Sequence, residues 1–198
     1  MILIIQVQYA DGKTYWAQPS NLRKVVKPAK RIITAETTRQ YREACLRYVN
    51  PDDICLEVGC HEGVTTAMVQ RRCKTIVGVD LSDVTIQIAR QKFPQVRFVV
   101  VSGDNVEVLK GLSPTGEYDK IMLDIGGIAE LPAVMHLVGL YYRTWKNSTL
   151  IIKSVFFSRL LEDTEMYKPQ EASVSKAAIN AAAEREKRRE QESSVEYE

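Results

Sequence analysis

Apolar and polar residues form alternating blocks along the middle of the chain, in the order expected for a repeated strand–helix unit. Short runs of mostly β-branched residues, apolar on both faces, predict buried parallel strands. The segments between them repeat apolar residues every three to four positions, which predicts amphipathic helices. The predicted strands are 54–58, 75–80, 96–101, 118–124 and 149–155, and the helices between them are 63–72, 83–93, 105–109 and 131–145. We therefore predict an α/β fold with a Rossmann-like, doubly wound and mainly parallel sheet.

The two ends of the chain depart from this pattern. Residues 2–9 and 14–17 predict the strands of a β-hairpin with Asp11-Gly12 at its turn, and a helix is predicted over 37–49. The C-terminal end is charged and poor in apolar residues, which predicts a solvated helix or a disordered tail. The expected division is an N-terminal β-hairpin with a basic connector (1–36), a central domain (37–165) and a charged tail (166–198).

Charge and cysteine content narrow the possible partners and locations. A net charge of +2 does not by itself imply a polyanion partner, but the segment from Lys13 to Arg47 is clearly basic. The four cysteines lack C-x-x-C spacing and are expected to be reduced thiols, which favours an intracellular location. The apolar N-terminus is too short to span a membrane, and we expect neither a membrane segment nor a metal site.

The segment that follows the first strand of the central domain carries the strongest chemical signal. The strand has an acid near its end, Glu57, and leads into a turn with two glycines, Gly59 and Gly63. Glycine permits positive φ and a close approach of a ligand to the backbone, and the helix that follows presents free N–H donors. A second acid, Asp80, ends the next strand. This arrangement is typical of α/β proteins that hold a cofactor.

From Tyr41 to Phe157 the order of motifs resembles that of the class I S-adenosylmethionine-dependent methyltransferases. In that family the first glycine motif lies beneath the methionine moiety, and the acid matched by Asp80 holds the ribose hydroxyls. The acid matched by Asp104 faces the adenine amine, and the acid matched by Asp124 faces the reacting centre. The resemblance implies that S-adenosylmethionine is bound by Glu57, Gly59, Cys60, His61, Gly63, Asp80, Leu81, Gly103, Asp104, Asn105 and Asp124.

Each of these residues also has a plainer interpretation. Gly59 and Gly63 suit an ordinary turn, and Asp80 and Asp104 suit helix capping. We interpret His61 as loop lining and His136 as a surface or partly buried residue. A dinucleotide site needs Gly-x-Gly-x-x-Gly, whereas position 61 is His, so the pattern favours a cofactor without a pyrophosphate.

The methyl acceptor is less well defined by the sequence. Asp124 and Lys153 at the ends of consecutive strands resemble the central pair of the Lys-Asp-Lys-Glu tetrad in ribose 2′-O-methyltransferases, which makes them the candidate catalytic residues. An amine can accept the hydroxyl proton only when it is uncharged. The rest of the tetrad is incomplete: Lys30 is a weak candidate for the first lysine, and no later strand offers the closing Glu. Lys153 is also typical of a strand-end lysine whose amine lies in solvent.

The sequence is therefore compatible with three hypotheses about function. The favoured one is methyl transfer to RNA, because the basic N-terminal region and the aromatic Tyr15 and Trp16 suit phosphates and bases. The same residues also fit a solvated connector. Methyl transfer to oxygen or nitrogen of a small molecule is the second reading, and a non-catalytic methyltransferase-like binding subunit is the third. A homodimer through an open sheet edge is a further expectation.

Overall fold

The computed structural model describes residues 5–8, 12–18, 28–125 and 130–167, and two sheets lie within them. The small sheet is an antiparallel pair, β1 (Ile5–Gln8) and β2 (Thr14–Ala17). The large sheet has six strands in the order β3-β8-β7-β4-β5-β6. These strands are β3 (Ile32–Ala35), β4 (Ile54–Val58), β5 (Thr75–Asp80), β6 (Arg97–Val100), β7 (Lys120–Leu123) and β8 (Thr149–Lys153), and every neighbouring pair is parallel.

Among the described residues, six helices cover the two faces of the large sheet. They are α1 (Thr38–Tyr48), α2 (Val64–Gln70), α3 (Asp83–Lys92), α4 (Val106–Leu112), α5 (Leu131–Thr144) and α6 (Val155–Glu162). Alternate residues of a strand point to opposite faces. Leu56 and Val58 therefore pack with the core of α4, α5 and α6, whereas Cys55 packs with the core of α1 and α2. The prediction of a doubly wound parallel sheet is confirmed.

The chain order creates a crevice at the carboxyl ends of the central strands. From β4 the chain moves outward through β5 and β6, and it then returns to place β7 on the other side of β4. The loops after β4 and β7 thus leave the sheet in opposite directions. In open α/β sheets, ligands bind at this switch in strand order.

Strand β3 was not predicted and lies within the segment assigned as connector. It pairs in parallel with β8, so that Ala35 faces Lys153 across the two strands. It occupies an edge of the large sheet, whereas β1 and β2 form a sheet of their own. A run of four residues after Lys30-Arg31 gives little periodic signal, because much of its burial comes from β8 and α6, which are distant in sequence.

Arg31 has a structural role at the start of β3. Its guanidinium donates to the carbonyl oxygens of Ser148 at 3.2 Å and Trp145 at 2.9 Å, and it lies 4.1 Å from the ring centre of Tyr142. Arg31 belongs to the basic N-terminal region whose positive charges we expected to contact phosphates, but its side chain instead ties β3 to the end of α5.

The C-terminal part of the central domain also differs from the prediction. Strand β8 ends at Lys153, and Ser154 caps the unpredicted helix α6 by accepting the Phe157 N–H. Residues 164–167, the described part of a separate C-terminal unit, form neither helix nor strand. Most of the predicted tail (166–198) lies outside the described residues. None of the helices in the described part of the chain has the length and apolar character that crossing a bilayer requires.

Candidate active site

A single cleft gathers most of the residues that the sequence singles out. It opens at the carboxyl ends of β4, β5, β7 and β8 and has a volume of about 810 Å³. This volume is within the range of roughly 300–1,000 Å³ that is usual for small-molecule sites. The predicted site residues that line it are Glu57, Gly59, Cys60, His61, Asp80, Leu81, Gly103, Asp104, Asp124 and Lys153.

The first glycine of the loop allows β4 and β7 to come close together. Gly59 has φ +78°, and its N–H donates to the Val79 carbonyl at 2.8 Å. A Cβ at Gly59 would lie 2.0 Å from the carbonyl oxygen of Asp124, which is backbone and cannot rotate away. Only glycine satisfies both the left-handed conformation and this contact.

The second glycine serves packing, and it is not among the residues that line the cleft. Gly63 also has φ +78° and forms the N-cap of α2. A Cβ there would lie 2.4 Å from the Phe98 ring. The Phe98 side chain belongs to the core beneath α2 and α3. Gly63 therefore sets the start of α2 and does not contact a ligand directly.

Asp80 lies at the end of β5 and organises the loop through both carboxylate oxygens. Its Oδ2 accepts the His61 N–H at 2.9 Å, and its Oδ1 accepts the Ser82 N–H at 2.9 Å. His61 has φ 48°, so this hydrogen bond helps to hold a conformation that non-glycine residues rarely adopt. A carboxylate oxygen has two acceptor positions, so each keeps one for a ligand hydroxyl in the cleft. Beside it, Leu81 is 73% exposed and offers an apolar surface.

Glu57 is a buried acid beneath the glycine loop, and only 2% of its surface is exposed. Its carboxylate accepts hydrogen bonds from the Tyr41 hydroxyl at 3.0 Å and the Thr66 hydroxyl at 2.5 Å. Burial raises the pKa of Glu57 to about 7, although both hydrogen bonds and the charge of Arg42 act in the opposite direction. The carboxylate of Glu57 favours the binding of a cation in the cleft. A bound cation would in turn favour the charged form of Glu57, so that the carboxyl group would release the proton that burial retains.

The raised pKa of Glu57 predicts a specific dependence of stability on pH. Between about pH 4.5 and 7 the folded chain keeps a proton that the unfolded chain has lost, so the folded state binds more protons. The free energy of unfolding should therefore fall by roughly 3 kcal/mol as pH rises through this window and change little above it. Urea unfolding at several pH values should show this fall, and Glu57→Gln should remove it.

A matched control for this prediction is Glu62→Gln, since the ion pair with Lys92 lowers the pKa of Glu62 and keeps its titration below this window. This variant should keep the wild-type pH slope between 4.5 and 7. The same slope in wild type and Glu57→Gln would show that Glu57 is ionised throughout the window.

The residues after β6 divide into cleft residues and a helix cap. Gly103 is buried, and its carbonyl accepts the Tyr141 hydroxyl at 2.6 Å. Asp104 is exposed in the cleft wall, and within the described part of the chain its carboxylate has no hydrogen bond or ion pair that would compete with a ligand amine. Asn105 lies outside the wall, because its side chain caps α4 by accepting the Val108 N–H at 3.2 Å.

Asp124 and Lys153 form a two-point ion pair at the carboxyl ends of β7 and β8. The Lys153 Nζ lies 2.9 Å from Oδ1 and 3.0 Å from Oδ2 of Asp124, and both side chains are largely buried. The Asp124 N–H also donates to the Val58 carbonyl at 2.9 Å, which fixes the carboxylate next to the glycine loop. The pair therefore presents a held ammonium group and a carboxylate to the same region of the cleft.

Residues on three helices complete the cleft, and the sequence did not assign them to it. Thr38 and Arg42 extend from α1, Val64 and Thr65 from α2, and Ala133, His136 and Leu137 from α5. The spacing of the α5 residues is a helical face, but the same pattern is typical of core packing. Only the strand order, which places α1 beside β8, shows that these faces reach the cleft.

Part of the chain that forms this cleft is similar to known proteins. Residues 55–135 match the family described as "Methyltransferase domain". The probable cobalt-precorrin-6B C(15)-methyltransferase (decarboxylating) of Methanocaldococcus jannaschii is 28% identical over 93 residues, which are 46% of this chain and 48% of that protein. The chain therefore spans about half the length of this curated relative.

Two solved structures also match. Precorrin 8w decarboxylase from Methanobacterium thermoautotrophicum matches 66% of this chain and 70% of its own, with 15% identity and a TM-score of 0.47. An rRNA methylase from Streptococcus thermophilus matches 67% of this chain and 86% of its own, with 11% identity and a TM-score of 0.47. The family match begins on β4 and continues through the glycine loop, Asp80 and Asp124, so the part of the chain that forms most of the cleft is similar to a methyltransferase domain.

Proposed function

We propose that this chain binds S-adenosylmethionine in the cleft and transfers its methyl group to a nucleophilic acceptor. The observation that carries the proposal is the convergence of Glu57, Asp80 and Asp124 on one cleft around a glycine loop. These three carboxylates, together with Glu62 and Asp104 in the same cleft of about 810 Å³, suit a ligand with a diol and a positive charge better than they suit an anion.

The residues present fit this cofactor. Asp80 has an acceptor position free on each oxygen for the two ribose hydroxyls, and Leu81 and Leu137 offer apolar surface for an adenine ring. Asp104 supplies an acceptor for the exocyclic amine. When bound, S-adenosylmethionine supplies an electrophilic methyl group on a positively charged sulfur. Glu57 and Asp124 favour that charge, and the rigid loop around Gly59 fixes its position.

The favoured acceptor is the 2′-hydroxyl of an RNA ribose. Asp124 holds the Lys153 amine in the cleft at two points, close to where the acceptor must enter. In its uncharged form this amine would take the hydroxyl proton as the carbon–oxygen bond forms. Asp124 would then orient the amine and stabilise the ammonium that results.

The N-terminal region supports RNA as the partner. Trp16 is 69% exposed on β2, and the neighbouring Tyr15 is also exposed. From Lys13 to Ala35 the sequence contains lysines and arginines but no acid. Exposed aromatic rings beside positive charge are typical of surfaces that stack on bases and contact phosphates.

Removal of the Lys153 amine tests the acceptor assignment. Lys153→Ala should lower methyl transfer to RNA by about 100-fold or more, since general base catalysis typically contributes 10²–10⁴-fold. Binding of S-adenosylhomocysteine should change much less. The measurement is incorporation of labelled methyl into total RNA, together with a binding titration. Lys146→Ala, which removes an exposed lysine outside the cleft, is the matched control.

Equal labelling of RNA by wild type and Lys153→Ala would exclude Lys153 from the reaction. A second candidate acceptor is a small organic molecule, which the relative named as a precorrin methyltransferase favours. Incorporation of label into the small-molecule fraction of an extract, with none in RNA, would support this second candidate.

A further inference from the structure

One cationic side chain in the cleft has no part in the function proposed above. Arg42 lies in the second turn of α1 and lines the cleft beside the first turn of α2. Its Nε donates to the Thr65 hydroxyl at 3.2 Å. That hydrogen bond holds the Nε end of the guanidinium, and the two terminal nitrogens are available to contact a ligand.

The guanidinium carries five N–H donors, and Thr65 accepts one of them. Among the described residues of the cleft wall, only Arg42 and Lys153 are lysine or arginine. Lys153 is paired with Asp124 at two points. No carboxylate of the described residues forms an ion pair with Arg42, although its charge acts on the buried Glu57. Arg42 is therefore the cleft cation best placed to receive an anion.

The position of Arg42 relative to the sheet indicates which end of a ligand it would meet. Helix α1 packs against β3 and β8, whereas Asp80 ends β5 on the other side of β4. The loop that contains Gly59 follows β4 and lies between them. A ligand whose ribose is bound at Asp80 would cross this loop and extend its far end towards Arg42 and Thr65.

This step rests on the proposed function, because it concerns the cofactor named there. S-adenosylmethionine has two positive groups, the sulfonium and the ammonium, and one negative group, the α-carboxylate. Glu57 and Asp124 suit the positive groups, whereas the carboxylate needs charged donors. We infer that Arg42 binds the α-carboxylate of the cofactor and makes the cleft selective for an intact amino-acid end.

The test compares two ligands that differ at that end. S-adenosylhomocysteine keeps the carboxylate, whereas 5′-methylthioadenosine has the same adenosine and thioether without the amino-acid end. Calorimetric titration of the full chain should show that Arg42→Gln weakens S-adenosylhomocysteine binding by roughly 10–100-fold, as expected for hydrogen bonds to a charged group. Binding of 5′-methylthioadenosine should change by less than about 2-fold, because the remaining cleft is intact.

Arg39→Gln is the matched control, since Arg39 lies on the same helix and pairs with Glu43 on the exposed side. This variant should bind both ligands as wild type does. Arg42→Lys should recover part of the lost affinity, since it restores the charge without the planar fork.

The possible outcomes separate this inference from the proposal on which it rests. If wild type binds neither ligand, the proposed function fails. If wild type binds S-adenosylhomocysteine and Arg42→Gln binds it equally well, the proposed function stands and the role of Arg42 is wrong. Equal weakening of both ligands would also overturn the inference, because it would assign Arg42 to the structure of the cleft.

Discussion

Replacement of Asp80 by alanine should weaken the binding of S-adenosylmethionine by about 100-fold or more. The substitution removes the acceptors for two ribose hydroxyls, and hydrogen bonds to a charged group are worth about 1.5–3 kcal/mol each. It also releases the His61 and Ser82 N–H groups, which Asp80 accepts at 2.9 Å each. The loop would then lose the contact that helps to hold His61 at positive φ.

Asp83→Ala is the matched control for this loss of affinity. Asp83 is an exposed carboxylate three residues further along, in the first turn of α3, and it lies outside the cleft. Both variants should be titrated with S-adenosylhomocysteine, and thermal unfolding should show that both are folded. If Asp80→Ala bound S-adenosylhomocysteine with wild-type affinity, Asp80 would only cap the backbone N–H groups around it and would not bind the cofactor.

Gly59→Ala is the second substitution for which we expect a large effect. The new Cβ would lie 2.0 Å from the Asp124 carbonyl oxygen, so the end of β7 must move and carry the Asp124–Lys153 pair with it. Positive φ adds strain for alanine. We expect roughly 2–4 kcal/mol of destabilisation, together with loss of measurable cofactor binding.

The control for this substitution is Gly139→Ala, within helix α5. A Cβ at Gly139 would meet nothing within 4 Å. This variant should be neutral or more stable by up to about 1 kcal/mol, because alanine favours a helix interior. Denaturant unfolding and a cofactor titration of both variants provide the comparison. Unchanged stability in Gly59→Ala would contradict the close contact between the glycine loop and β7.

The central strands were predictable because their signal is local. Strands β4 and β5 are buried on both faces, so their residues are mainly apolar and the predicted bounds 54–58 and 75–80 match the structure. The approach of Asp124 to Lys153 was also predictable, because neighbouring parallel strands end at the same edge. Strand β3 was not predictable in this way, since it is short and gains its burial from β8.

The direction of individual side chains depended on packing that the sequence does not show. Glu57 is placed in the family's cofactor loop by resemblance, but it points to the α1 and α2 face, where Tyr41 and Thr66 donate to it. Asn105 matches the third motif, yet it caps α4. Arg42 reaches the cleft only because β3 carries α1 to the side of β8, and no local pattern indicates that.

The central claim is that carboxylates from consecutive parallel strands form one cleft for an adenosyl sulfonium cofactor. Calorimetric titration of the full-length chain with S-adenosylhomocysteine tests it most directly. We predict saturable binding of one molecule per chain, and this binding should be weakened by about 100-fold or more in Asp80→Ala and unchanged in Asp83→Ala. Absence of saturable binding to the folded wild-type chain would contradict the claim and leave a methyltransferase-like fold without its cofactor.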